Sequence, residues 1–339
     1  MASRIYFDDI IYSLQSNGGI SNFWTEITSR VISSNRFSVT RSSSRKLKRY
    51  FPVPVDTDIF HSSYYRLPAN SKTKTVLTVH DFIYELGFIK KWNSFVNIHQ
   101  VRAAIHQANV IVCVSENTKA DLLKIYPKIV RDSDIHVIPH SSVLIYKPEL
   151  NDQKPTKLSF VDDAIKKKYI LFVGKRGYYK NFKTAVQGFL ASGLPKSGFK
   201  MFCVGSRFNN DELFFLETNN LESTIICISN ANDDELTYLY QNAFVLLYPS
   251  LYEGFGLPPL EAMTCGCPVI TSNTSSLPEV VSDAGITVDP LDVSAISSGL
   301  KSIQSNDYRN YLIKSGFARA KLFSWDLASK KYIEIYKSL

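Results

Sequence analysis

The sequence predicts an α/β protein of two parallel-sheet domains facing a central cleft, and three observations carry that expectation. At 339 residues the chain exceeds the size at which one hydrophobic core keeps growing, so two domains are expected. Strand-like and helix-like runs alternate almost throughout, the signature of parallel strands joined by crossover helices. The alternation breaks once, over a polar stretch bearing Lys and Pro from Tyr146 to Lys168, and then restarts.

In the first half, "RIYFDDIIY" from Arg4 reads as a strand and "ISNFWTEITSRVIS" as the helix after it. "TVLTVHD" is a strand, "SFVNIHQVRAAIHQAN" a helix and "VIVCVS" a strand. "ENTKADLLKIYP" follows as a helix and "IHVIP" as a strand. The second half opens with the strand "YILFVG" and the helix "KNFKTAVQGFLAS". "FKMFCVG", "TIICIS", "FVLLYPS" and "PVITSN" supply further strands, with helices between them. "PPLEAM" puts Pro258 and Pro259 at the first helical positions, where a missing N–H costs nothing. Ligands of such sheets bind beyond the carboxyl ends of the strands, so the loops there hold the chemistry.

Composition is ordinary for a globular chain, 45% hydrophobic and 21% charged. Of five cysteines, Cys113, Cys203 and Cys227 sit in apolar strand-like runs as small core residues. Cys265 and Cys267 lack the second pair or His cluster of a zinc site, and a reduced, cytoplasmic protein is expected. The N-terminus carries acids where a signal peptide needs a basic flank, and no apolar run approaches the ~20 residues of a membrane span. The net charge of +8 is uneven: residues 1–150 hold 19 Lys and Arg against 12 Asp and Glu, residues 151–339 hold 20 against 19. The excess peaks in "TRSSSRKLKRYFPVP", where Arg41, Arg45, Lys46, Lys48 and Arg49 meet no acid. That run is a solvated loop or a patch for an anionic lipid surface or a pyrophosphate-bearing acceptor. No recognition motif for nucleic acid accompanies it.

The loops carry the chemistry. "YEGFGLPPLEAMTCGCP" places Glu253 and Glu261 either side of Gly254, Phe255, Gly256 and Leu257, where a strand passes through a glycine loop into a helix. Free N–H groups at such a helix start suit an anion. Glu261, inside the helix, then suits hydroxyls, and an anion beside hydroxyls suggests a sugar nucleotide. Gly18 and Gly19 in "SNGGIS" form a second glycine loop before a helix. In "GKRGYYKN", Arg176 and Lys180 can meet a pyrophosphate as fork and point charge. His80 and Asp81 end the "TVLTVHD" strand.

Taken together these features resemble the retaining family-4 glycosyltransferases of the two-domain GT-B fold. "PSLYEGFGLPPLEAMTCGCPVITSNTSSLPEVVSDAGITVDP" is similar to the signature block of that family, with two glutamates separated by seven residues. "VHD", "VSENTKADL", "FVGKRGYYKN" and "DDELTYLYQNA" occur in the family's order, and "FSWDLASKKYIEIY" resembles its closing helix. The resemblance implies an acceptor-binding Rossmann-like domain over 1–150 and a nucleotide-sugar domain over 151–320. It also implies a C-terminal helix, 321–339, returning to the first domain. It implies that Glu261 binds the ribose, that Glu253 lies beside the donor sugar and that Gly254 to Leu257 face sugar and phosphates. Arg176, Lys180, Gly18 and Gly19 would serve the diphosphate, and His80, with Asp81 beside it, the reaction centre. Asp56 to Asp58, "DTD", is similar to a metal-binding triplet of other glycosyltransferases, but such triplets are frequent by chance. No metal or other cofactor is expected. Two places depart from the pattern: His140 in "IPHSS", which the family leaves unexplained, and "ISNAN" before the "DDEL" segment.

The implied activity is retaining transfer of a hexose, from UDP-glucose or a similar UDP-hexose first and GDP-mannose next. The acceptor would be a saccharide or polyprenyl-linked saccharide of surface polysaccharide synthesis, met at the inner face of the cell membrane. A sugar phosphorylase or trehalose-type enzyme, a nucleotide-sugar epimerase and a non-catalytic binding protein are the alternatives.

Overall fold

The computed structural model describes residues 2–15, 18–89, 94–130, 135–151, 154–161, 166 and 168–339. By its internal contacts the chain divides into one unit of Met1–Ser141 with Phe323–Leu339 and another of Ser142–Leu322.

The first unit begins with β1 (Arg4–Asp8), α1 (Ile11–Leu14), α2 (Gly19–Ser33), β2 (Ser38–Ser42) and β3 (Ile59–Ser62). β4 (Lys74–Val79), α3 (Ser94–Gln107), β5 (Val110–Cys113), α4 (Glu116–Ile125) and β6 (Ile135–Val137) follow. Its six strands are ordered β2-β1-β3-β4-β5-β6, and every pairing is parallel. β3 and β5 are buried at every position, as a strand covered on both faces must be. The run read as one strand, "RIYFDDIIY", is cut at Asp8, and Ile11–Leu14 turns helical instead. The cause is the acid pair. Asp8 takes a buried ion pair from Arg66 at 2.7 Å, while Asp9 accepts from Trp24 Nε1 at 2.6 Å and from Arg41 at 2.9 Å. None of the three partners is near in sequence, so no local pattern signals the break. β2 and β3 were not expected either. β2 is a polar edge strand, and β3 is four residues long with a histidine in it.

The second unit runs β7 (Tyr169–Val173), α5 (Phe182–Ala191), β8 (Lys200–Gly205), α6 (Asn210–Thr218), β9 (Ile225–Ser229) and α7 (Asp233–Asn242). It continues with β10 (Val245–Tyr248), α8 (Leu257–Thr264), β11 (Val269–Ser272), α9 (Leu277–Val281), β12 (Ile286–Val288), α10 (Val293–Ser302) and α11 (Asn306–Ala320). The order is β12-β11-β10-β7-β8-β9, again all parallel. Strand order reverses between β7 and β10, the point at which doubly wound sheets open a crevice for a ligand. α6 and α7 each start in a capping box, Asn209 with Glu212 and Asn232 with Glu235. In "ISNAN", Asn230 takes a left-handed φ of 53°, a conformation Asn tolerates better than most residues.

The stretch Tyr146–Lys168, read as a linker, lies partly outside the described residues. Its described part is tied down: Lys147 N donates to Gln241 Oε1 at 2.9 Å, and Lys157 Nζ to the carbonyls of Ser229 and Asn230.

The last helix, α12 (Trp325–Ser338), belongs to the first unit. It packs on α2, where Arg30 pairs with Asp326 at 2.7 Å. Tyr336 Oη meets His61 Nδ1 at 2.6 Å, and His61 Nε2 meets Thr78, which also contacts Tyr332 Oη at 2.9 Å. Burial pushes His61 down to about 3, so the ring is neutral and the network is satisfied without charge.

Candidate active site

The reversal point of the second sheet brings together loops that are remote in sequence. Lys180 follows β7 and Glu253 follows β10, and Lys180 Nζ donates to Glu253 Oε1 at 2.7 Å. Tyr248, at the end of β10, donates to the same oxygen at 2.9 Å and accepts from Lys180. The ammonium also sits over the Tyr248 ring, 4.7 Å from its centroid. Sequence reading put Lys180 on the diphosphate and Glu253 beside the sugar. In the structure the two form a mostly buried pair with each other.

The loop that carries Glu253 is pinned by hydroxyls from the loop after β11. Ser276 donates to the carbonyls of Glu253 at 2.9 Å and Phe255 at 2.5 Å, and Ser275 Oγ accepts from Glu253 N at 3.1 Å. Ser272 donates to Ser250 O at 2.5 Å and Thr271 to Tyr248 O at 2.9 Å. These residues were missed, although the run of hydroxyl residues "TSNTSS", which ends β11 and opens the loop after it, was the available signal. Gly256 takes a φ of 120°, and a Cβ there would lie 2.9 Å from Leu277 Cδ2. Glycine is required at that point, and α8 starts immediately after it. Pro258 and Pro259 stand in its first turn and carry no N–H, and Leu260 N donates to Gly256 O at 3.3 Å, so the N–H of Leu257 is the donor this helix start presents among its first four residues.

Glu261 lies in the second turn of α8, against α7, where Tyr240 Oη donates to its Oε2 at 3.0 Å. Burial, with Asp233 adding to it, pushes its carboxyl up to about 7 against the opposing Tyr240 bond.

Arg176 departs from the expected fork on a diphosphate. Its side chain is almost fully buried, paired with Glu212 at 3.0 Å, and donates to the carbonyls of Ser206 and Arg207. Its guanidinium covers the Phe208 ring at 4.5 Å. It therefore holds the loops after β7 and β8 together. The neighbouring Lys175 is exposed and has no ion pair among the described residues.

In the first unit, Gly18 is the N-cap of α2 with a φ of 153°, and a Cβ there would strike the Gln15 side chain. Gly19 starts the helix. His80 follows β4 and is buried. Its Nδ1 lies 3.4 Å from Nε2 of His140, so the residue left unexplained by sequence is its neighbour in space. Asp81 is half-buried and accepts from Ile83 N at 3.1 Å, a turn-forming bond.

The basic run is less uniform than its sequence. Arg41 lies on β2 and pairs with Asp9. Arg49 donates to Asn97 Oδ1 at 2.6 Å and covers the Tyr64 ring at 4.7 Å. These two leave the patch because acids and carbonyls distant in sequence reach them. Arg45, Lys46 and Lys48 remain exposed beside Leu47 and Phe51, which are 77% and 65% exposed. In "DTD", Asp58 pairs with Arg4 at 3.1 Å. Among the described residues no cluster of His, Cys, Asp and Glu could hold a metal ion, and no helix is long and apolar enough to cross a membrane.

Residues 157–319 match the family described as glycosyl transferases group 1, and residues 22–141 match glycosyltransferase family 4. The chain is 40% identical over 175 residues to the O-antigen chain mannosyltransferase B of Escherichia coli, covering 50% of this chain and 46% of that protein. It is 26% identical over 258 residues to the O-antigen chain mannosyltransferase RfbU of Salmonella typhimurium, covering 72% of this chain and 66% of that protein. The chain thus spans about half the length of the first relative and two thirds of the second. The structure is similar to sucrose-phosphate synthase of Thermosynechococcus elongatus, with a TM-score of 0.78 at 16% identity over 99% of this chain and 98% of that one. At that identity the likeness is one of fold.

Proposed function

This chain belongs to the family-4 glycosyltransferases, and from that premise we propose that it moves mannose from a nucleotide-diphosphate donor onto a growing saccharide. The observation that carries the reading is the Lys180–Tyr248–Glu253 cluster at the reversal point of the second sheet, beside the glycine loop that opens α8. Its chemistry suits a leaving diphosphate. As the bond between anomeric carbon and phosphate oxygen breaks, its electron pair leaves with the diphosphate and the ring becomes oxocarbenium-like. Lys180, Lys175 and the N–H of Leu257 at the start of α8 stabilise the charge where it develops. No metal is required for that role.

Glu253, paired with Lys180, offsets positive charge on the sugar and orients its hydroxyls. Glu261 accepts from the ribose. The acceptor hydroxyl forms the new bond on the face the diphosphate vacates and passes its proton to the departing phosphate oxygen, so configuration is retained. A carboxylate nucleophile would have to face the anomeric carbon. Glu253 is instead held from two sides as a hydrogen-bond acceptor. His80 orients groups near the acceptor as a neutral ring.

Two relatives named as mannosyltransferases support mannose ahead of glucose, and so the GDP-mannose that the sequence reading placed second ahead of the UDP-glucose it placed first. Exposed Leu47, Tyr50 and Phe51 with Arg45, Lys46 and Lys48 support reversible binding to an anionic bilayer at its cytoplasmic face, where a lipid-linked acceptor would be met.

The test is a thermal-shift panel of UDP, GDP, UDP-glucose and GDP-mannose, followed by product analysis with radiolabelled donors and mannose-terminated oligosaccharides. A ligand at a hundred times its dissociation constant adds about 2.7 kcal/mol. Label moved from GDP-mannose to the oligosaccharide is the expected result. Epimerised donor, phosphorolysis or binding without turnover would replace the proposal with one of its rivals.

A further inference from the structure

One buried polar group has no part in the transfer chemistry so far. His140 follows β6, two strands from β4 in the sheet, and its ring lies nearly parallel to that of His80, at 4° with centroids 5.4 Å apart. The Phe23 ring of α2 stands steeply to both, at 78° with centroids 5.1 Å apart for His80 and at 74° with centroids 4.8 Å apart for His140. Trp325, at the start of α12, lies 5.8 Å from His140. The pair is therefore framed by aromatic side chains from two helices. Burial pushes His80 down to about 4, and His140 well below the ordinary histidine range. At neutral pH each ring then carries a single N–H.

That coupling has a consequence. A contact between two ring nitrogens needs one donor and one acceptor, so the tautomer of one ring dictates that of the other. A residue serving only to fill the space could be apolar, without the cost of desolvating a second imidazole. We propose that His140 is a positioning residue: it occupies Nδ1 of His80, holds that ring in one tautomer and leaves Nε2 as the ring nitrogen offered to the reacting sugars. The inference rests on the reading of His80 as the histidine of the reaction centre.

Nitrogen-15 NMR of the ligand-free, histidine-labelled protein reads the tautomer directly. In the parent, the two ring nitrogens of His80 should show the full separation of protonated and bare sites. In His140→Phe, which keeps the aromatic packing and removes the nitrogen, they should move toward each other. With GDP-mannose or UDP-glucose, whichever the panel selects, kcat of His140→Phe should fall about 10- to 100-fold, the range for partners that orient a functional histidine. The KM for the donor should stay within about twofold, since the donor contacts assigned above lie on other residues. His140→Asn, whose amide can still bridge, should recover most of kcat. His140→Ser serves the same comparison if the phenyl ring prevents folding.

An unchanged His80 tautomer in His140→Phe overturns the proposal, as does a parental kcat once the tautomer is lost. Equal losses in His140→Asn and His140→Phe, with equal losses of thermal stability, make His140 a structural residue and overturn it as well. Parental turnover by His80→Gln refutes the role of His80 itself. That failure is separable from the others, because the NMR result is obtained without substrate.

Discussion

Replacing Glu261 by Gln separates two consequences of one buried carboxyl. Burial lifts Glu261 from an ordinary value near 4.5 to about 7. At 1.36 kcal/mol per pH unit this amounts to ~3 kcal/mol between the two protonation states. The folded chain holds the proton more tightly than the unfolded chain, so stability falls as pH rises from about 4.5 to 7, and the full penalty is present above 7. Glu261→Gln cannot ionise. It should flatten that slope and raise the melting temperature at pH 8, by an amount bounded by the same ~3 kcal/mol. Ligand binding should move the opposite way. Ribose hydroxyls donate best to a carboxylate, so the parent should bind nucleoside diphosphate more tightly as pH rises from 6 to 8, releasing up to one proton. The variant should bind about 10- to 100-fold more weakly at pH 8, the worth of a hydrogen bond to a charged group. Titration calorimetry with GDP and UDP in two buffers of different ionisation enthalpy measures affinity and proton release together. A flat affinity in the parent, or equal affinity in the variant with stability raised, would refute the ribose role while leaving the burial argument intact.

Arg176→Met removes one side of a buried ion pair and leaves the Glu212 carboxylate without its cation, with the capping bond from Asn209 N still in place, which should cost about 3 kcal/mol in chemical denaturation. Turnover per folded molecule should change far less, and a large loss of kcat with stability intact would return Arg176 to the diphosphate. Lys180→Met should weaken diphosphate binding and free Glu253; unaltered affinity for GDP and UDP would show that the pair is only structural. Transfer should survive EDTA, and complete loss restored by manganese would overturn the metal-free reading. Neutralising Arg45, Lys46 and Lys48 together should abolish pelleting with anionic vesicles at 0.1 M salt, where the Debye length is ~10 Å. Equal pelleting on neutral vesicles would leave the run as a solvated loop.

What the sequence determined by itself was local. Alternating short apolar runs and amphipathic segments established two α/β units, because burial on a strand or a helix face imposes a period within a few residues. Glycine before Pro-Pro marked the start of α8 for the same reason, since backbone freedom and a missing N–H belong to single positions. Glu253, Glu261, Lys180 and His80 were therefore legible as candidates. Their partners were not. Lys180 meets Glu253 across 73 residues, Arg176 meets Glu212 across 36, and His80 meets His140 across 60. Such pairings depend on which strands lie side by side, and in a doubly wound sheet that order is reached through crossovers rather than along the chain. So only the tertiary structure decided that Arg176 braces a loop, that Arg41 and Arg49 leave the basic patch, and that Glu261 is lifted to about 7. A side chain's charge is written in the sequence, but its solvation and its partner are set by the neighbours that folding brings to it.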